Sequence, residues 1–155
     1  AAFGSGWVGD IGQDGAPNGY GVFEIDGAQI KNQYFKATGK EISYQIKMYP
    51  LNSWDSKKDC VIANVWNWDE NWKFDVYENG KLMKPTLTQY YDYDPYAYDY
   101  MFGPDKPKHR PKTEPYKTNH MFYYKPKNKR AEVRIIARDG FGNVYEAKIK
   151  ADQRK

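Results

Sequence analysis

The sequence has little of several residue types that often carry a fold or a function. Its single cysteine, Cys60, excludes an intramolecular disulfide and a cysteine-rich zinc site, and we expect it to be a buried structural thiol. No apolar run approaches the ~18 residues that a membrane-spanning helix needs. The first residues lack the charged and then apolar pattern of a signal peptide. We therefore expect no membrane span in this chain.

Leucine is also scarce, since it occurs only at Leu51, Leu82 and Leu87. Aromatic residues take its place, with 15 Tyr, 7 Phe and 5 Trp among 155 residues. Aromatic and β-branched side chains favour pleated strands, whereas helices favour leucine and alanine. The formal net charge of +4 adds little self-repulsion. The composition predicts one folded, β-rich domain with a sizeable core.

The residues available for an enzyme site are few. The chain has two histidines: His109 lies in a basic loop that would repel a bound cation, and His120 begins an apolar strand, where we expect it to be packed. Asp92, Asp94 and Asp99 resemble a loose calcium loop but lack its glycine and its bidentate glutamate. No serine nucleophile elbow, phosphate-binding loop or zinc-protease motif occurs. We predict that this chain alone is not an enzyme and holds no metal or other cofactor.

Alternation of apolar and polar residues, interrupted by Asp-Gly and Asn-Gly pairs, is typical of β-hairpins. It predicts strands at 20–25, 29–37, 42–48, 61–68, 72–77, 81–83, 87–91, 120–124, 131–137 and 143–149. In the segment 42–48, Ile42 belongs to the predicted buried face and Gln45 to the face that meets water. Many short antiparallel strands at this spacing predict an all-β fold, an antiparallel sandwich of the immunoglobulin or fibronectin kind.

The segment 90–126 departs from this pattern and predicts a long connection within the domain. It begins with six tyrosines interleaved with aspartates and continues with a stretch rich in Lys, Pro and Arg. The tyrosines are Tyr90, Tyr91, Tyr93, Tyr96, Tyr98 and Tyr100. Asp94 before Pro95 predicts a short helical turn, because Asp caps helices well and Pro suits the first helical position. Tyrosine is well suited to interfaces, so this segment is our candidate contact surface.

Three tryptophans lie close together in the sequence, at Trp66, Trp68 and Trp72. A strand through this region would put Trp66 and Trp68 on the same face. If that face is exposed, the indoles form a stacking platform for sugar rings; if it is buried, they belong to the core. Both interpretations stay open at this point, and the core is the favoured one.

Basic residues are concentrated between 106 and 130, where nine Lys and Arg stand against Glu114. Such a patch beside aromatic residues is compatible with a nucleic-acid backbone. A solvated, lysine-rich loop that keeps an aromatic protein soluble explains it more simply. We do not expect nucleic acid to be a partner.

Several short phrases occur in an order that resembles the C-terminal domain of bacterial calcineurin-like phosphoesterases, of the type common in Bacteroidetes. They lie at 6–10, 14–20, 44–45, 65–69, 94–97, 120–122 and 139–146, and they include Asp-Gly-Ala-Pro-Asn-Gly-Tyr and Asp-Gly-Phe-Gly-Asn-Val-Tyr-Glu. The resemblance covers nearly the whole chain. Departures, such as Ala16 where the resemblance leads us to expect Thr, concern local packing.

The resemblance implies a parent enzyme whose upstream domain hydrolyses phosphate esters with two divalent metals. The metal-ligand motifs of that domain are absent from this sequence, so the resemblance implies no catalytic or metal-binding residue here. It implies that residues 1–12 are the tail of the catalytic domain and that 13–155 form a C-terminal accessory domain. It also implies export to the periplasm.

Two hypotheses follow for the function. In the first, the chain is a non-catalytic accessory domain that packs against its own upstream catalytic domain and shapes the cleft of that domain. In the second, it is a carbohydrate or cell-surface binding module that uses exposed tryptophan and tyrosine side chains. An exposed pair of coplanar tryptophans would favour the second hypothesis. Buried tryptophans beside an exposed aromatic patch at 90–100 would favour the first.

Overall fold

The computed structural model describes residues 7–104, 108 and 113–153, and the side chains of residues 7 and 8 are not described. Its strands are β1 (Trp7–Val8), β2 (Ile11–Gly12), β3 (Gly19–Asp26), β4 (Gln29–Ala37), β5 (Ile46–Tyr49), β6 (Val61–Val65), β7 (Lys73–Glu78), β8 (Lys81–Met83), β9 (Thr88–Asp92), β10 (Thr118–Tyr124), β11 (Glu132–Arg138) and β12 (Val144–Lys150). A short 3₁₀ helix spans Asp55–Lys57, and one α-helix, α1, spans Pro95–Phe102.

Eight of the strands form two antiparallel four-stranded sheets. Sheet I has the order β5-β6-β10-β9, and sheet II has the order β12-β11-β7-β8. Two strands of sheet I are followed by two of sheet II, two more of sheet I and two more of sheet II. This Greek-key order is the one found in immunoglobulin-like domains, in which a four-stranded sheet packs on a three-stranded sheet. In this chain, sheet II carries β8 as an additional edge strand. The predicted all-β sandwich is confirmed.

The main core lies between the two sheets. Sheet I contributes Val61, Ala63, Val65, Phe122 and Tyr124, and sheet II contributes Val76, Met83, Val133, Ile135, Ala137 and Tyr145. Along β11 the burial alternates with a period of two, because only one face of sheet II meets sheet I. All five residues of β6 are buried, which requires a second covering layer on the other face of sheet I.

That second layer consists of α1 and the segment before β3. Ile11 packs on Ala97 and Met101 of α1, and Ala16 packs with the base of the β3–β4 hairpin beside Trp66. The N-terminal segment and α1 therefore belong to the same packed unit as the sandwich.

The helix α1 forms where the sequence predicts a helical turn. The Asp94 carboxylate accepts a hydrogen bond from the Ala97 backbone N–H at 2.9 Å, and Pro95 occupies the first turn. Residues four apart then share a side of the helix. Ala97 and Met101 form the buried stripe, and two pairs of aromatic residues flank it.

Most predicted hairpins are confirmed. The strands β3 and β4 pair around Gly27, whose φ is +58°. Asn79 and Gly80 both have positive φ, at 47° and 83°, as a tight two-residue hairpin turn requires. The C-terminal hairpin pairs β11 with β12 over the full length of both strands.

Two strand predictions are wrong. The segment 42–48 forms a strand only from Ile46; Ile42 is 43% exposed, whereas Gln45 is buried and donates to the backbone oxygens of Phe35 and Ile42. The predicted strand 61–68 ends at Val65 because Asn67 adopts a left-handed backbone conformation with φ of 63°. In the first segment, the hydrogen bonds of the Gln45 side chain override the apparent alternation. In the second segment, the local turn at Asn67 ends the strand.

Candidate functional site

Aromatic side chains lie on both sides of the buried stripe of α1, in the segment that the sequence predicts as a contact surface. We call this surface the aromatic face, and its members are Trp54, Tyr93, Tyr96, Tyr98, Tyr100 and Phe102. Tyr98 is at its centre, because its ring centroid lies 5.1 Å from that of Trp54, 5.3 Å from that of Tyr93 and 5.3 Å from that of Phe102. Trp54, which the sequence did not single out, is positioned by a 2.8 Å hydrogen bond from its indole N–H to Asp92.

The other pair of aromatic residues on α1 stacks along the helix. The rings of Tyr96 and Tyr100 lie 5.7 Å apart with 27° between their planes, and the Lys47 ammonium lies 3.7 Å from the centroid of the Tyr96 ring. Tyr96 and Phe102 are exposed by 36% and 39%. The aromatic face is thus partly open to solvent and partly ordered by ring contacts and a cation.

Two of the six predicted tyrosines lie outside this face. Tyr90 points into the cluster of Tyr49, Ile62 and Met121 beneath α1, and burial raises the pKa of its hydroxyl. Tyr91 is 67% exposed and points to the opposite side of β9, as neighbouring strand residues do. Both placements follow from the pleat of β9.

The tryptophans do not form an exposed coplanar pair. Trp66 is fully buried and packs with Tyr44, whereas Trp68 packs against Phe122 of the main core at 5.6 Å between ring centroids. Trp72 is also buried and stacks on Tyr145 at 5.5 Å. The prediction that Trp66 and Trp68 share one strand face is wrong, because the strand ends before them. Of these three tryptophans, Trp68 is partly accessible.

A buried network of polar side chains joins the second layer to sheet I. The Tyr49 hydroxyl donates to the Asp94 carboxylate at 2.7 Å, and burial together with the Asp94 charge raises the pKa of Tyr49. Asn64 donates from its amide nitrogen to Asp94 at 2.8 Å and to the backbone oxygen of Asp14 at 2.9 Å. The network therefore connects β5, β6, the cap of α1 and the N-terminal segment.

His120 completes the network, and its tautomer follows from the orientation of Asn64. The two donations fix the amide nitrogen of Asn64, so its oxygen faces Nδ1 of His120 at 2.6 Å and accepts a hydrogen bond from an N–H at that nitrogen. Nε2 of the ring then faces the Asp14 carboxylate at 3.4 Å. A β-bulge between Thr118 and Met121 places this ring on the face of Asn64.

The Asp14 carboxylate is buried yet ionised. Burial alone would raise its pKa, but the hydrogen bond and charge of His120, with the Ala16 backbone N–H, outweigh burial and lower the pKa. Asp14 also borders an open pocket of about 220 Å³ between the N-terminal segment, the turn after β6 and the start of β10. The expectation that His120 is packed at a strand end is confirmed, and the pairing with Asp14 adds a polar contact at the pocket.

Two carboxylates of the loose calcium-loop pattern are engaged in other contacts. Asp92 accepts from Trp54 and pairs with Lys117 at 3.3 Å, while Asp94 is occupied by the buried network. In the described ranges, no three His, Cys, Asp or Glu side chains are grouped to hold a metal ion. Cys60 is buried and unpaired, as predicted.

The basic segment is described only in part. Lys106, His109, Arg110 and Lys112 lie outside the described residues. Among the others, Lys117 pairs with Asp92, and Lys129 pairs with Asp59 at 2.6 Å. None of the helices that the structure describes is both long and apolar enough to cross a membrane.

Residues 1–145 match the family described as the C terminal of Calcineurin-like phosphoesterase. The chain belongs to this family. No curated protein and no solved structure matches the chain. The recognised family is therefore that of the C-terminal part of a metallophosphoesterase.

The sequence alone did not predict the polar network of this phosphoesterase C-terminal domain, although one residue pointed to it. Asn64 interrupts the otherwise apolar run 61–65, and a polar residue inside a fully buried strand needs hydrogen-bond partners. Asp14, Asp94 and His120 occur in the family phrases, but they lie 26 to 106 positions apart in the chain. Only the fold brings them together.

Proposed function

We propose that this chain is a non-catalytic accessory domain that packs against the catalytic domain of a calcineurin-like phosphoesterase and shapes its substrate cleft. The observation that carries the proposal is the aromatic face on α1. Tyrosine and tryptophan are enriched in protein interfaces, and they lose little conformational entropy when they are already ordered. The ring contacts around Tyr98 supply that order.

The path of the N-terminal segment supports the same arrangement. We propose that residues 1–12 are the tail of the catalytic domain and that this tail packs onto the accessory domain of 13–155. Ile11 is buried against α1, and Gly9 approaches the Tyr100 hydroxyl so closely that a side chain there would collide with it. A catalytic domain joined through this segment would start beside the aromatic face, so the short connection gives the contact a high effective concentration.

We assign the chemistry of the whole enzyme to the catalytic domain. We propose that two divalent metals are held there and that no step of hydrolysis uses a residue of this chain. We also propose that the protein is exported to the periplasm, as the resemblance to Bacteroidetes enzymes implies. Fractionation of cells that express the full-length protein tests this location: recovery with cytoplasmic markers would contradict it.

The carbohydrate alternative receives no support from the predicted tryptophan platform. Trp66 and Trp72 are buried, so their faces are not available to a sugar ring. The aromatic face is uneven, since the rings around Tyr98 meet at angles of 60° to 80° and do not form one flat surface. The interface with the catalytic domain is therefore the favoured function.

Calorimetry of the two-domain protein tests the proposal. The variant Tyr96→Ala with Phe102→Ala removes the two most exposed rings of α1 while keeping its buried stripe. Tyr20→Ala, which removes a ring that is 56% exposed on β3, is the matched control. We expect the two domains to unfold in one coupled transition in the wild type and the control, and in two separate transitions in the double variant. Identical, uncoupled unfolding of all three proteins would contradict the interface.

A further inference from the structure

The pocket beside Asp14 has features of a binding site that the accessory function does not require. It is open to solvent, has a volume of about 220 Å³ and is lined by Asp14, Asn67, Trp68, Tyr116, Asn119 and His120. Three separate parts of the chain converge there. Convergent polar groups with a buried ionised residue in a cleft are the usual marks of a ligand site.

The charges of the pocket select the ligand class. The buried Asp14 carboxylate borders the pocket and disfavours an anion. One of its oxygens accepts from the Ala16 backbone N–H and the other faces the His120 ring, so a cation would have to displace these contacts. Asn67 and Asn119 add amide groups, which both donate and accept hydrogen bonds. This set fits a neutral ligand that carries several hydroxyl groups.

The shape of the pocket points to a ring. The indole of Trp68 forms one wall, and its edge-to-face contact with Phe122 holds it in place. Tyr116, which is 41% exposed, adds a second aromatic side chain at the rim. An aromatic wall opposite polar groups suits a molecule with an apolar C–H face and a polar edge. The pocket volume of about 220 Å³ is smaller than the roughly 300–1,000 Å³ of pockets that hold drug-sized ligands. This volume limits the ligand to about one ring.

The pocket is also formed in advance. Asn67 is held in its left-handed conformation, and its side-chain oxygen accepts from Gln33 at 3.1 Å. The backbone oxygen of Asp14 is bound by Asn64, and the β-bulge in β10 places His120. Strained backbone and bulges are found preferentially at functional sites.

We propose that this pocket binds one neutral pyranose ring, such as the end unit of a glycan. The site is separate from the aromatic face, and its occupation does not depend on contact with the catalytic domain. It also differs from the tryptophan platform that the sequence offered, because it uses Trp68 alone together with polar groups from Asp14 to His120.

Indole N–H signals in ¹H–¹⁵N spectra of the chain test the site, since each of the five tryptophans reports on its own surroundings. The probes are the methyl glycosides of glucose, galactose, mannose and N-acetylglucosamine, with glucuronic acid as the charged comparison. We expect at least one neutral glycoside to shift the Trp68 signal saturably, with a dissociation constant in the millimolar range. The Trp54 signal should stay in place, and glucuronic acid should shift Trp68 less.

The variant Asn119→Ala removes an exposed amide at the rim, and loss of one hydrogen bond should weaken the titration about fivefold. Tyr20→Ala, on the surface of β3, should leave it unchanged. Three outcomes would overturn the site: no shift of Trp68 by any neutral glycoside at about 50 mM, a shift of Trp54 in its place, or an unchanged titration in Asn119→Ala. None of these outcomes bears on the interface, which is tested by the coupled unfolding.

Discussion

At the scale of single residues, Asn64 is the point where the second layer is tied to sheet I. Its side chain binds the Asp94 carboxylate, the Asp14 backbone oxygen and the His120 ring at once. Each of these partners is buried and would lose its hydrogen bond to Asn64 if the amide were removed. A buried polar group that loses its partner costs more than the bond itself contributes.

Replacement of Asn64 by Ala is therefore expected to destabilise the chain by about 3 kcal/mol. Urea denaturation followed by tryptophan fluorescence measures this loss. Asn119→Ala, at an exposed position next to His120, is the control and should change the unfolding free energy by less than about 0.5 kcal/mol. Equal stability of the two variants would show that the network does not hold the layers together.

The ionisation of Asp14 makes part of the stability depend on pH. Its pKa in the folded state is lower than the value of 3.8 for a free side chain. The folded chain therefore releases this proton more readily than the unfolded chain does. The contribution is fully present above about pH 4. It is lost as the pH falls through the lower pKa of the folded state.

The variant Asp14→Asn separates this contribution from the rest. We expect it to be less stable than the wild type by about 2 kcal/mol at pH 7, because the amide removes the charge beside His120. The difference should shrink as the pH falls from 5 to 2. Urea titrations across this range measure it, and a difference that stays constant with pH would contradict the ionised Asp14.

At the scale of elements, α1 and the N-terminal segment form one unit. The helix depends on Asp94 as its cap, and Asp94 in turn meets the N-terminal segment at Gly15. Gly15 has φ of +79°, and a side-chain carbon at this position would collide with the Asp94 carboxyl group. Close approach of these two segments therefore requires glycine on both steric and backbone grounds.

Substitution of Gly15 by Ala should consequently disturb the helix cap as well as the local backbone. Gly27→Ala provides the matched control, since Gly27 also has positive φ but no atom lies near its missing side chain. We expect a loss of about 1 kcal/mol for Gly27→Ala from backbone strain alone, and a loss of at least about 3 kcal/mol for Gly15→Ala. Thermal unfolding compares them, and similar losses would argue against the close contact with Asp94.

The elements that the sequence predicts correctly are those with local causes. The cap and proline at 94–95 specify α1, and Asn79-Gly80 specifies a hairpin turn. The failure at 42–48 has a non-local cause, because Gln45 is buried where it reaches the backbone of Phe35 on β4. The side of β10 on which His120 lies depends on a bulge relative to β9, which strict alternation does not contain.

At the scale of the whole molecule, the second layer covers sheet I in the part of the chain that the structure describes. The aromatic face, the N-terminal segment and the pocket beside Asp14 all belong to that layer. Sheet II, in contrast, presents charged side chains to solvent, including pairs such as Arg138 with Asp75 and Arg134 with Glu146. The strand pattern predicted the fold class and the run of tyrosines predicted the candidate segment, but neither pointed to the pocket, because its lining comes from distant parts of the chain.

Our proposal that phosphate-ester hydrolysis belongs to the catalytic domain leads to a prediction about activity. The purified chain should not hydrolyse a generic phosphodiester such as bis(p-nitrophenyl) phosphate, with or without added manganese. Release of p-nitrophenol measures this, and the two-domain enzyme is the positive control. Manganese-stimulated turnover that persists through repurification would show that the chain has a catalytic site of its own.

Contact between the aromatic face and the catalytic domain is the central claim, and hydrogen exchange tests it most directly. Amide exchange of α1 is compared between the isolated chain and the two-domain protein, with β11 in the core of sheet II as the internal reference. We predict that α1 and the segment 92–94 exchange more slowly in the two-domain protein, while β11 is unchanged. Equal exchange of α1 in both proteins would contradict the claim.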